Sequence, residues 1–228
     1  MSVETHRVLM GTCGWKHQAW NNDFYSEDLP EEWQLGFYSN EFPVVYVPAS
    51  DWLDEEDIAE WTEDVSDSFR FILEIPENVL KDEEKFVAAI NKAKSLGDFC
   101  LGLVFQLTPE LYGDIQLIQK RLDEAQAVAP VCIDKCGTPF TSEFEQFLQK
   151  QNINEVWNGQ EEKNKSVSRG PLSISRILGD KLEMSALRKV VEVCLSESSE
   201  DCVSVLCLDG EPPSLEQLRN ADTILNLL

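Results

Sequence analysis

The sequence predicts an α/β protein, a single compact (β/α)8 barrel of TIM type with an irregular stretch around strands six and seven. Three observations lead there. Short apolar, β-rich runs alternate with amphipathic helical patterns, which is how a parallel sheet with crossover helices looks in a sequence. Eight such runs can be counted. The 228 residues suffice for one barrel with short loops, since the fold usually takes roughly 250.

The first unit organises the rest. Residues 8–15 (Val-Leu-Met-Gly-Thr-Cys-Gly-Trp) form an apolar run ending in a Gly-x-x-Gly turn. An aromatic-rich loop with Trp20 and Phe24-Tyr25 follows, and Leu29-Pro30 opens a helix. The remaining strands are expected at 44–47, 69–75, 100–105, 131–134, 155–157, 172–178 and 203–208. Several are apolar nearly throughout, as suits strands covered by helices on one side and barrel filling on the other.

The helices carry their own signals. Phe86, Ala89, Ile90 and Ala93 share a face, with Gly97 placed to end the helix. Thr108-Pro109-Glu110 offers a cap, an N1 proline and a first-turn acid for one helix carrying Leu111, Ile115, Ile118 and Leu122. Ser142-x-x-Glu145 and Ser214-x-x-Gln217 fit capping boxes. Met184, Leu187, Val191 and Cys194 form another stripe, and Leu215, Leu218, Leu225 and Leu228 close the chain. Residues 158–170 are polar, bounded by glycine and aperiodic, so a mobile loop is expected after strand six. Nothing is long enough to link a second domain, and residues 1–228 are expected to form one.

Composition narrows the function classes. Forty-two acidic side chains against 19 basic ones give a formal charge of −23. Such a surface repels phosphate backbones, which disfavours nucleic acid as a partner. No apolar run is long enough for a bilayer, and the first residues lack the basic end and apolar run of a signal peptide, so a cytoplasmic protein is expected. The seven cysteines form an odd set in mostly apolar contexts and are expected to be reduced. Cys132-x-x-x-Cys136 lacks the second pair or histidines of a zinc site. No metal and no cofactor is expected, and oligomeric state is not legible.

The order Gly11-Thr12-x-Gly14-Trp15, Trp20, Phe24-Tyr25 and Leu29-Pro30, with Phe37-Tyr38 and Phe42 behind, resembles the opening of domain-of-unknown-function family 72, also called YecE-like. The resemblance runs from Gly11 to the C-terminus and implies a TIM-type barrel without a settled activity. Phe105-Gln106-Leu107-Thr108-Pro109 resembles the family's Phe-Gln-Leu-Pro on strand four, Arg176-Ile177-Leu178-Gly179 its Arg-Leu-His-Gly on strand seven, and Asn220-Ala221 matches the last helix. Other polar family positions are lost. Tyr46 and Pro48 replace a glutamate and an asparagine of strand two, Glu74 a strand-three lysine, and Leu178 a strand-seven histidine. Cys132-Ile133-Asp134-Lys135 stands where the family has Glu-Phe-Arg-His, and Leu208-Asp209-Gly210 where it has Phe-Asn-Asn. A divergent member is implied, whose chemistry is not carried over unchanged.

In this architecture sites form at the C-terminal ends of the strands. Reading off those ends gives His17 with Trp15, Trp20 and Tyr25, then Asp51 and Trp52, Glu74, Gln106, Asp134, Trp157, Arg176 and Asp209. Glu74, Asp134 and Asp209 are the candidate catalytic residues, as three carboxylates suited to a hard cation or to acid/base work, against the plainer role of strand-end polar residues. Arg176, Gln106, Trp15, His17, Trp20, Tyr25, Trp157, Lys163 and Lys165 are the candidate ligand-binding set. For Arg176 an anion-binding role and an ion pair with Asp134 or Asp209 stay open side by side. Lys163, Lys165 and Arg169 would overhang the same opening from the loop, or simply be solvated. Trp15, Trp20, Phe24 and Tyr25 either stack a ring-bearing ligand or pack the loop over the barrel end. His17 near Cys13 suggests a Cys and His couple, and two histidines in all exclude multi-histidine metal centres.

Three functions follow as expectations. The first is binding of a small anionic ligand, phosphorylated or carboxylated, at the mouth. The second is a hydrolase or lyase acting on phosphorylated or sugar-like substrates through the mouth carboxylates. The third is a non-catalytic interaction module with an acidic surface.

Overall fold

The structure, a computed structural model, describes residues 8–159, 170–178 and 182–228. Eight parallel strands form one sheet that curls into a nearly closed barrel: β1 (Val8–Cys13), β2 (Val44–Val47), β3 (Arg70–Ile75), β4 (Cys100–Gln106), β5 (Val131–Asp134), β6 (Asn154–Glu155), β7 (Leu172–Leu178) and β8 (Val203–Asp209). Their order is β6-β5-β4-β3-β2-β1-β8-β7, so the first strand pairs with both the second and the last.

The irregularity expected around strands six and seven is the seam. β6 is a two-residue strand with no ladder to β7. Among the described residues an isolated bridge at Trp157 spans the gap, with Trp157 N–H donating to Ile174 O at 2.9 Å and Arg176 N–H to Trp157 O at 2.8 Å, and Asn154 Nδ2 donates to Leu172 O at 2.8 Å.

The helices are α1 (Gln34–Ser39), α2 (Glu77–Lys81), α3 (Glu83–Ser95), α4 (Pro109–Tyr112), α5 (Ile115–Gln126), α6 (Ser142–Lys150), α7 (Met184–Glu197) and α8 (Leu215–Leu225). Two differ from the sequence reading. The helix expected from Thr108 onward is broken into α4 and α5, because Gly113 is a poor helix former and the Asp114 carboxylate caps Leu117 N–H to start a new helix. The cap of α6 is Thr141, whose hydroxyl accepts from Phe144 N–H, one residue before the expected Ser142. Between β2 and β3 the chain makes short 3-10 turns at Ala49–Asp51 and Ile58–Thr62. Ile58, Trp61 and Val65 keep a helical spacing there and pack on the core. Ser214 caps α8 as expected, accepting from Gln217 N–H.

Period-two alternation separates two cores. Val44, Ile72, Val104, Cys132, Val156, Ile174, Val205 and Cys207 fill the barrel interior, while Val45, Leu73, Phe105, Ile133 and Leu206 face the helices. The glycines of the opening motif serve close approach. A Cβ at Gly11 would lie 1.8 Å from Val44 O, and Gly14 sits at φ +72°. Beside them the buried Tyr38 hydroxyl accepts from Thr12 N–H at 2.9 Å and donates to Val44 O at 3.1 Å, stitching α1 to β1 and β2.

Candidate functional site

The same alternation decides which polar residues meet at the mouth. Glu74 stands two residues after interior Ile72, Asp134 two after Cys132, Arg176 two after Ile174, and Asp209 two after Cys207. All four therefore project into the top of the barrel rather than toward the helices. The Arg176 guanidinium lies 3.4 Å from Glu74 Oε2, 3.3 Å from Asp134 Oδ2 and 3.6 Å from Asp209 Oδ2. Its Nη1 also donates to the Tyr46 hydroxyl at 3.2 Å, and that hydroxyl donates to Glu74 Oε2 at 2.8 Å.

Each carboxylate is pinned from behind. The second oxygen of Glu74 accepts Ala49 N–H at 3.2 Å, that of Asp134 accepts Cys136 N–H at 2.9 Å, and that of Asp209 accepts Gly210 N–H at 2.8 Å. One arginine on β7 thus holds three carboxylates from β3, β5 and β8, and three loop entries hold the carboxylates. Three negative charges against one positive leave the cluster at a net of minus two. Burial by itself would lower the Arg176 pKa, but Tyr46, Asp134 and the other acidic groups outweigh it, so the pKa rises and the guanidinium stays charged.

Gln106 is the register partner of Asp134, half-buried at the end of β4, and its amide has no hydrogen-bond partner among the described residues. Trp157 is half-buried and supplies the backbone bridge at the seam. Lys163, Lys165 and Arg169 lie outside the described residues. Tyr46 is the group that sequence reasoning missed, although its place two residues after interior Val44 points it inward.

The aromatics of the first loop do not line an open rim. Trp15, Trp20 and Tyr25 are 2%, 3% and 1% exposed. Tyr25 donates to Trp15 O at 2.7 Å, Trp20 Nε1–H donates to Pro213 O at 3.3 Å, and Trp15 meets Trp61 edge-on. They pack the loop over the barrel end, the plainer of their two expected uses. His17 is half-buried with Nε2 at 2.8 Å from the backbone oxygen of Cys13, not from its thiol. Burial first, and the acidic neighbours Cys207, Asp209 and Glu74 after it, push that thiol well above its ordinary value. Cys136 at the mouth is held protonated too, its pKa raised to about 11 by burial first and by Asp134 second. Among the described residues no group of three or more His, Cys, Asp or Glu is arranged to hold a metal ion, and no helix is long and apolar enough to cross a membrane.

The comparisons with known proteins bear on the fold and the family. A search of curated proteins gives no match. The chain is similar to the crystal structure of a DUF72 family protein from Thermotoga maritima, with a TM-score of 0.69, 13% sequence identity, and coverage of 97% of this chain and 100% of that one. At that identity the likeness speaks for the barrel alone. The family model described as "Protein of unknown function DUF72" matches residues 9–194, from β1 to the last turn of α7. With the opening motif, the barrel and that match agreeing over most of its length, the chain belongs to the DUF72 family.

Proposed function

We propose that the mouth of this barrel binds a small, uncharged, hydroxyl-rich organic molecule of the sugar or polyol class. The observation that carries this reading is the spacing around Arg176. Contacts of 3.3 to 3.6 Å to three carboxylates are looser than the roughly 2.7–2.9 Å of a closed charge-assisted hydrogen bond. A hydroxyl group donates and accepts at once, so one lying over such a pair can accept from the guanidinium and donate to a carboxylate. Gln106, with a donor and an acceptor unused beside Asp134, extends the same surface. Backbone N–H groups hold the three carboxylates in place, so little ordering remains to be done on binding.

A free anion meets a different field. Arg176 is already surrounded by three negative groups, and a phosphate or carboxylate entering there is repelled unless cations outside the described residues, such as Lys163 and Lys165, join it. Titration by calorimetry or saturation-transfer NMR with ribose, glucose and myo-inositol, against ribose 5-phosphate and citrate, separates the two readings. Neutral sugars are expected to bind in the millimolar range or tighter, and Gln106→Leu is expected to weaken them several-fold at unchanged melting temperature. Binding of the anions alone, undiminished in Asp134→Asn, would overturn the proposal in favour of an anion site.

A further inference from the structure

We propose that the exposed face of α1 and the turn before it dock a basic segment of another protein, an arginine- or lysine-bearing stretch with at least one apolar side chain. Trp33 is 63% exposed and Phe37 is 42% exposed. They stand four residues apart at the start of a helix, so their side chains share one face. The opposite face buries Gln34, Leu35 and Tyr38 against the barrel. Phe37 is also backed edge-on by Phe24 at 5.2 Å and by Tyr25 at 5.7 Å between ring centroids, which gives the patch a firm aromatic floor.

Charge selects the occupant. Residues 21–43 hold six acidic side chains and no lysine or arginine. Glu27, Asp28, Glu31 and Glu32, just ahead of Trp33, are all exposed and without an ion pair among the described residues. A solvent-facing tryptophan beside unpaired carboxylates suits a guanidinium or ammonium, which stacks on the ring face and pairs with the carboxylates. Phe37 then takes the neighbouring apolar side chain. A second copy of this chain is a poor occupant, since self-docking sets one acidic rim against another on bodies of formal charge −23. Anionic membranes and nucleic acids are repelled by the same field.

The test uses the whole protein and a fluorescein-labelled decapeptide of alternating arginine and leucine, read by fluorescence anisotropy at 50 and 300 mM salt. Micromolar binding that weakens with salt is expected, and Trp33→Ala, which leaves the net charge untouched, is expected to weaken it about tenfold. Trp33→Gln repeats the test if the alanine variant misfolds by circular dichroism. Glu31→Lys with Glu32→Lys is expected to weaken binding further. Equal binding by both Trp33 variants and the native protein would reduce the effect to bulk charge and overturn the proposal. Dimerisation in sedimentation that Trp33→Ala abolishes, or binding to phosphatidylserine vesicles, would overturn it in favour of a second copy or a membrane.

Discussion

Replacing Arg176 with methionine keeps the length and most of the packing of the side chain while deleting its charge. Three carboxylates would then face one another across the barrel mouth. The Arg176 side chain is 26% exposed, and Glu74 and Asp134 are each 11% exposed, so these two pairs count as largely buried. Asp209 at 42% is screened by solvent and adds little. Removing one partner of a buried pair costs about 3–5 kcal/mol, and the loose 3.3 and 3.4 Å contacts place this case near the lower end, at about 3 kcal/mol. For a domain of this size that corresponds to a melting temperature lower by roughly 6–12 °C. Differential scanning calorimetry and urea unfolding measure it. Arg176→Lys should lose about half as much, because an ammonium keeps the charge but not the forked reach. Adding Asp134→Asn to the methionine variant should recover part of the loss. A methionine variant within 0.5 kcal/mol of the native protein would refute the view that one guanidinium holds the mouth together.

Four further outcomes follow from the same structure. Gly11→Ala drives a Cβ to within 1.8 Å of Val44 O, a backbone atom that cannot swing away, and should cost about 3 kcal/mol or prevent soluble expression, which unfolding assays or expression yield will show. Tyr38→Phe removes the hydroxyl that satisfies Thr12 N–H and should cost about 1–3 kcal/mol in urea unfolding, a neutral result counting against its stitching role. Ser204 Oγ is buried with no hydrogen-bond partner among the described residues, so Ser204→Ala should be neutral or stabilising by up to about 1 kcal/mol; a clear loss of stability would mean the hydroxyl is satisfied after all. Burial pushes the Cys13 and Cys207 thiols up and raises Cys100 to about 12, so the folded chain keeps these protons where the unfolded chain releases them near pH 9. Their stability is complete below pH 9 and is lost as pH rises toward the folded values, at about 1.4 kcal/mol per pH unit for each thiol; a melting temperature flat from pH 8 to 11 would contradict this.

Much of the barrel was legible because parallel strands buried on both faces must be apolar, and the chain marks them so at 44–47, 100–105 and 203–208. Local rules also found the Gly97 helix end and the Ser214 cap, since both depend on residues within one turn. They failed at Gly113, where one apolar stripe concealed a break, and around β6, where no local rule says how a barrel seam closes. Trp15, Trp20 and Tyr25 left two uses open for a related reason. An aromatic loop reads alike whether its rings face a ligand or one another, and only their partners across the fold, such as Pro213 and Trp61, bury them.

By itself the sequence determined the strand positions, the place of Glu74, Asp134, Arg176 and Asp209 at the ends of their strands, and the formal charge. Each of these is a property of a residue and its near neighbours, carried by a period of two or by a sum of charges. Only the tertiary structure decided that a single guanidinium lies between three carboxylates and that backbone N–H groups hold each of them from behind. Those contacts join β7 to residues 102 positions away on β3, and ring closure, which no local pattern encodes, is what brings them within reach.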